Sequence, residues 1–195
     1  MTIENLDRVF EPGSVAVIGA SDRPGSVGAA VMHNLGAGKF NGSVFPVNPG
    51  RTSVMGIDAC ENVRDLPGDV DLAVVAVPIL QVPEILETCA TKKMGGAVIL
   101  SAGDAWPTPR QNAVFQQIKT IAGRSGMRIL GPDSVGFIHT GIGLNASFMH
   151  QTPLPGRMAF MSQSGAVCTS VLDLAVRENV GFSHFVSLGS KLDVN

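Results

Sequence analysis

Short apolar, β-branched runs alternate along this chain with longer segments whose apolar residues recur at helical spacing, and each run ends in glycine, proline or small polar residues. Residues 6–10 predict a short lead-in helix stopped by Pro12-Gly13. The first strand, Ser14-Val-Ala-Val-Ile18, breaks into the glycine-bearing stretch 19–28, behind which Val27, Val31, Met32 and Leu35 keep a helical period as far as Gly36-Ala-Gly38. Asn41-Gly42 turns the chain into a second strand, residues 43–47. Residues 55–60 and 65–67 predict a small extended excursion. Residues 70–77 are apolar on both faces, which belongs in the middle of a parallel sheet, and Pro78 closes the strand because it has no amide hydrogen for the ladder. A helix over 81–93, a strand over 95–101, a helix over 109–124 and a strand over 128–130 follow.

Five strands joined by helices predict an α/β fold built on a Rossmann-like, doubly wound parallel sheet, with its ligand above the strand C-termini. The strand-end loops 19–28, 48–51, 77–79, 101–104 and 131–136 then converge by topology. After Leu130 the pattern lapses into an irregular connection over 131–155, rich in glycine and proline. A new strand at 157–161 and the junction Ser162-Gln-Ser-Gly165, backed by Val167, Val171, Leu172 and Leu174, open a second unit. The expected division is 1–130, 131–155 and 156–195. The chain stops at Asn195 soon after the apolar run 185–188, which reads as a longer protein cut short.

Composition narrows the classes. With 195 residues, 45% hydrophobic, 15% charged and 23 glycines, the chain suits a compact α/β protein with many tight turns. A net charge of −2 leaves no basic field for duplex nucleic acid. Cys60, Cys89 and Cys168 are odd in number and widely spaced, as expected of free thiols in a reducing cytoplasm. No leader-like start or bilayer-length apolar run is present in the sequence, so a cytoplasmic protein with no membrane partner is expected. His33, His139, His150 and His184 lack metal-ligand spacing and a coherent carboxylate partner, so no metal site is expected and none of the four is assigned catalysis.

The candidate chemistry starts at the first turn. Gly19, Gly25 and Gly28 are spaced more widely than G-x-G-x-x-G and lack the Gly-Lys-Ser/Thr ending of a P-loop. A helix starting near Ser26 presents free amides and the positive end of its dipole to an anion. The second strand ends in Asn48-Pro49-Gly50-Arg51, without the carboxylate that takes ribose hydroxyls in NAD-binding domains; Arg51 suits a phosphate on the ribose side instead. This disfavours a nicotinamide-dependent dehydrogenase or a nucleotide-sugar enzyme. Ser162-Gln-Ser164-Gly lacks the first glycine of a hydrolase nucleophile elbow, which disfavours a hydrolase.

Val15-Ala-Val-Ile-Gly-Ala-Ser21 with Gly25 and Gly28, Val47-Asn-Pro49, Val77-Pro78, Gly131-Pro132 with Ser134 and Gly136, Gly143-Leu-Asn-Ala-Ser-Phe148, Ser162-Gln-Ser-Gly165 and Phe185-Val-Ser-Leu-Gly189, in this order, resemble the NDP-forming acyl-CoA synthetases. That superfamily includes ADP-forming acetyl-CoA synthetase and the α subunit of succinyl-CoA synthetase. The resemblance implies a CoA-binding domain over 1–130 and the beginning of a succinyl-CoA-synthetase-like, flavodoxin-like domain over 156–195. By position, Ser21, Arg23, Gly25 and Ser26 would meet phosphates, with Gly19 and Gly28 shaping their turn. Asn48, Pro49 and Arg51 would flank the nucleotide, Val77, Pro78 and Ile79 would line the adenine, and Ser101, Ala102, Gly103 and Asp133 would lie towards the pantetheine and thioester. Ser162, Gln163, Ser164 and Gly165 would hold the phosphate of a phosphohistidine carried beyond this chain.

The resemblance further implies an acyl-CoA ligase using acyl phosphate, with CoA or acyl-CoA as ligand. ATP or ADP and Mg would be bound by an ATP-grasp domain or subunit outside this chain, the full-length protein would be an oligomer, and the fragment alone would be inactive. An alternative is a ligase-inactive region that senses CoA or acyl-CoA within a bacterial protein lysine acetyltransferase. Two positions depart from the family pattern: Asp133 stands where Gly-Pro-Asn is usual, and Gly103-Asp-Ala-Trp106 replaces a Gly-Phe loop.

Overall fold

A computed structural model describes residues 3–103 and 108–194. A short helix, α1 (Leu6–Phe10), leads into β1 (Ser14–Ile18), α2 (Val27–Ala37) and β2 (Ser43–Val47). A two-stranded hairpin, β3 (Ser53–Val54) and β4 (Ile57–Asp58), then precedes β5 (Leu72–Val75), α3 (Val82–Thr91), β6 (Gly96–Ile99), α4 (Pro109–Ser125) and β7 (Arg128–Leu130). The main sheet has the order β2-β1-β5-β6-β7 and every neighbouring pair is parallel. With the small hairpin set aside, this is the doubly wound order 2-1-3-4-5, whose direction reverses between β1 and β5. In such sheets the ligand crevice lies outside the C-terminal ends of these two strands.

Alternation along the strands sorts the core into two layers. Ala16, Ile18, Ala73, Val75, Ala97 and Ile99 face α3 and α4, where Leu86, Cys89 and Ile118 are fully buried. Val15, Val17, Leu72, Val74, Val98 and Leu130 face Val31, Met32 and Leu35 of α2 on the other side.

The stretch expected to be an irregular connection is instead structured. It contains β8 (Gly136–His139) and β9 (Leu144–Ser147), paired antiparallel, and β8 in turn pairs with β11 (Gly181–Ser187). With β10 (Leu154–Ser162) parallel to β11, the second sheet runs β10-β11-β8-β9, with α5 (Gly165–Arg177) across one face. All eight positions of β8 and β9 are buried, so neither strand shows the apolar-polar alternation that marks a strand with one wet face. Phe137, Leu144, Ala146 and Val186 join the α2-side core of the first sheet, while Ile138, Phe182 and Phe185 pack under α5.

The chain after β11 returns to the first sheet. Ile129 donates its backbone N–H to the Asp193 carboxylate at 2.9 Å, Arg128 Nε donates to the same oxygen at 2.8 Å, and Val194 donates its N–H to the Ile129 carbonyl at 3.2 Å. The otherwise open β7 edge is thereby covered.

Candidate functional site

The three glycines of the first turn do different work. Gly19 (φ +87°) has a backbone that favours glycine, and a Cβ there would lie 2.6 Å from the Ala76 carbonyl oxygen, so it also lets β5 approach. Gly25 (φ +78°) has open space around it and serves by conformation alone. Gly28 has an ordinary helical backbone, but a Cβ would lie 2.0 Å from the Gly19 carbonyl oxygen, so the start of α2 is pressed against the turn.

Ser26 is the N-cap of α2. Its Oγ accepts from the Ala29 N–H at 3.2 Å and donates to the Arg23 carbonyl at 2.8 Å, while Ser21 Oγ accepts from the Arg23 N–H at 3.0 Å. Ser26 thus spends both donor and acceptor on the shape of the loop, whereas Ser21 only accepts there and keeps its O–H to join the first amides of α2 in attracting an anion.

Asn48 straps the β2 end to this turn. Its Nδ2 donates to the Ala20 carbonyl at 2.7 Å and its Oδ1 accepts from the Gly50 N–H at 2.8 Å; Pro49 lies exposed between them. Arg51 reaches the same rim, where its guanidinium lies 2.6 Å from Asp22 Oδ1, each side chain 42% exposed. A pair this wet is worth at most about 1 kcal/mol, so Arg51 is readily transferred to a stronger anion.

Across the crevice, Ser101 Oγ donates to the Val77 carbonyl and the Asp133 N–H donates to the Ser101 carbonyl at 2.9 Å, linking the ends of β5, β6 and β7. Asp133 itself has φ +60°. A cleft of about 420 Å³ opens over these strand ends, lined by Ala76, Val77, Pro78 and Ile79, by Leu100, Ser101 and Ala102, by Asp133, Ser134 and Val135, and by Val27 and Phe148. The expected residues of the β5, β6 and β7 loops are thus brought together, apart from Gly103, where an added Cβ would strike the Gln111 side chain. Asp104 and the rest of the departure at 104–106 lie outside the described residues.

Ser162, Gln163, Ser164 and Gly165 form a second turn on the other sheet and do not line this cleft. Ser164 caps α5 through the Val167 N–H at 3.3 Å, and Ser162 Oγ accepts from the Ser164 N–H at 3.1 Å. The two regions meet at Val135: a Cβ on Gly165 would come within 2.8 Å of Val135 Cγ1.

Sequence reasoning missed Asp22, Val27, Val135 and Phe148 as rim residues. Phe148 ends a motif already singled out, yet its chain position says nothing of which cleft it reaches. The histidines also need one correction: His150 does have a carboxylate partner, Asp173, at 3.1 Å, in an exposed pair. The thiols differ in setting. Burial pushes Cys89 up to about 12 and raises Cys168 as well, the latter against hydrogen bonds from Ser187 and Ser162.

A family model described as a CoA binding domain matches residues 13–140, and one described as a succinyl-CoA ligase like flavodoxin domain matches residues 155–195. An ADP-forming acetate-CoA ligase of Methanocaldococcus jannaschii is 44% identical over 97% of the chain, and one of Archaeoglobus fulgidus is 41% identical over 95%. The solved dinucleotide forming acetyl-coenzyme A synthetase 1 of Ca. Korarchaeum cryptofilum, in complex with phosphate and ADP, superposes on 97% of the chain with a TM-score of 0.92 at 35% identity. The chain spans 26% and 27% of the two relatives and 40% of the solved chain.

Proposed function

Because this chain belongs to the CoA-binding domain family of the NDP-forming acyl-CoA synthetases, we propose that it is the CoA-binding region of an ADP-forming acyl-CoA ligase. The observation that carries this reading is that the match over 13–140 covers the whole parallel sheet with the Gly19–Gly28 turn and Arg51 on one rim. In this reading the first amides of α2 and the Ser21–Ser26 loop hold the pyrophosphate. Arg51 leaves Asp22 for the 3′-phosphate, Val77, Pro78 and Ile79 pack on the adenine, and the pantetheine runs past Ser101, Ala102, Gly103 and Asp133. Residues 1–130 then bind CoA, 131–155 form a structured joint, and 156–195 open the second unit, whose Ser162–Gly165 turn receives the phosphate of a phosphohistidine supplied from outside this chain.

CoA contributes the thiol that becomes the thioester. The chain's own part is to hold the charged end of CoA by helix amides and an arginine while the thiol arm lies along a mostly apolar cleft. ATP or ADP and Mg are assigned to an ATP-grasp domain or subunit outside this chain. The alternative of a ligase-inactive sensing region is not favoured, since both relatives above are named ligases.

Titration calorimetry with CoA, 3′-dephospho-CoA and NAD tests the reading. CoA is expected to bind best, and removal of the 3′-phosphate or Arg51→Ala to weaken binding by about tenfold, the scale of one charge-assisted contact. Asp22→Asn, which frees Arg51, is expected to strengthen it. A preference for NAD, or indifference to the 3′-phosphate, would overturn the assignment.

A further inference from the structure

The strand order gives the rim a direction. The first turn and Arg51 lie over β1 and β2, and the ends of β5, β6 and β7 follow in that order. A ligand with its phosphates over β1 and β2 and its adenine on the loop after β5 therefore runs its uncharged arm across the end of β6 and brings its thiol to the loop after β7. The lining there is Leu100, Ala102, Val135 and Phe148, with Ser134 already committed: its Oγ donates to the Ser187 carbonyl at 2.6 Å and accepts from the Gly136 N–H at 2.9 Å.

Phe148 comes from the second sheet and is held in place by the first. Its N–H donates to the Val135 carbonyl at 3.2 Å, so the two residues form adjacent parts of one wall. The carbonyls on either side of it, those of Ser147 and Met149, both accept from Asn34 Nδ2 on α2, at 2.9 and 2.8 Å. Behind Val135 stands Gly165, so close that an added Cβ there would collide with Val135. This wall has little freedom to retreat.

We propose that Phe148, together with Val135, limits the length of the acyl group carried on the thiol, and that Asn34 is the positioning residue that keeps Phe148 in the cleft. The proposal rests on reading the rim as the CoA site. An acetyl group ends before the wall, whereas a longer chain must displace an aromatic side chain whose backbone is held on both sides.

The test is titration calorimetry of this chain with CoA, acetyl-CoA, butanoyl-CoA and hexanoyl-CoA. The parent is expected to bind hexanoyl-CoA at least about tenfold more weakly than acetyl-CoA, as an apolar pocket of limited size allows. Phe148→Ala is expected to remove most of that ratio, read as hexanoyl-CoA against acetyl-CoA within the same variant so that any change common to all CoA ligands cancels. Phe148→Leu, which keeps the packing, and Asn34→Ala, which loosens the wall, are expected to remove part of it. A parent that binds all acyl lengths alike, or variants that weaken every ligand equally, would overturn the proposal and leave Phe148 a structural residue. Failure of the parent to bind CoA at all would overturn the reading of the site, and this proposal with it.

Discussion

Single side chains join distant parts of this molecule. Asp71 accepts from Arg8 Nε at 2.9 Å, from the Gly13 N–H at 2.9 Å and from Ser14 Oγ at 3.0 Å, tying α1 and the start of β1 to the lead-in of β5. Burial works to raise its carboxyl, but these hydrogen bonds outweigh burial and hold it below the usual range. Its contribution is therefore present above the ordinary aspartate range and lost as pH falls through the lowered value. The cross-strand pair His139 and His184 acts in the same sense, over a higher pH range. Their rings lie 4.0 Å apart, and His139 Nδ1 lies 3.0 Å from the Phe10 carbonyl oxygen. Desolvation and then the neighbouring His139 lower His184, against the attraction of Glu11. The folded chain thus binds fewer protons there than the unfolded chain, and stability falls as pH drops below the ordinary histidine value of 6.5. Thermal melts between about pH 7 and about pH 5.5 are expected to show a smaller loss for His184→Gln than for the parent; an equal loss would place the acid sensitivity elsewhere.

The strand-turn-helix unit from β1 to α2 was the most legible element, because what it needs is local. A positive φ at Gly19 and Gly25, a hydroxyl at the N-cap and a helical period behind it leave marks within a few residues. Gly28 differs: its need for a missing side chain arises from the nearby Gly19 carbonyl and not from its own backbone. Gly28→Ala is therefore expected to push α2 off the turn, costing about 1–3 kcal/mol as overpacking does. Urea unfolding would measure that cost, with CoA affinity falling alongside because the helix amides move. An unchanged midpoint would mean that the turn yields freely. Elements β8 and β9 were illegible for the converse reason: burial on both faces removes the alternation by which a short strand is recognised. The pairing of Arg51 with Asp22 was likewise unreadable, since it depends on two loops converging across the sheet end.

At the scale of the whole molecule, the two sheets share one apolar layer, in which Phe137 of β8 is fully buried, meets Phe10 edge-on at 5.4 Å and lies with Val15, Val31 and Val98. Phe137→Ala is expected to cost about 3–5 kcal/mol and to lower a single cooperative transition, followed in urea by circular dichroism and by hydrogen exchange in both sheets. Two separate transitions would show that the sheets fold independently. The sequence by itself determined the parallel sheet, the convergence of its strand-end loops and the anion-suited start of α2, because strand and helix periods and turn glycines act over a few residues. Only the tertiary structure decided that residues 136–147 form a hairpin against α2 and that Phe148 lines the cleft. Those placements depend on contacts such as Asn34 to Ser147, 113 residues apart along the chain, for which local pattern carries no signal.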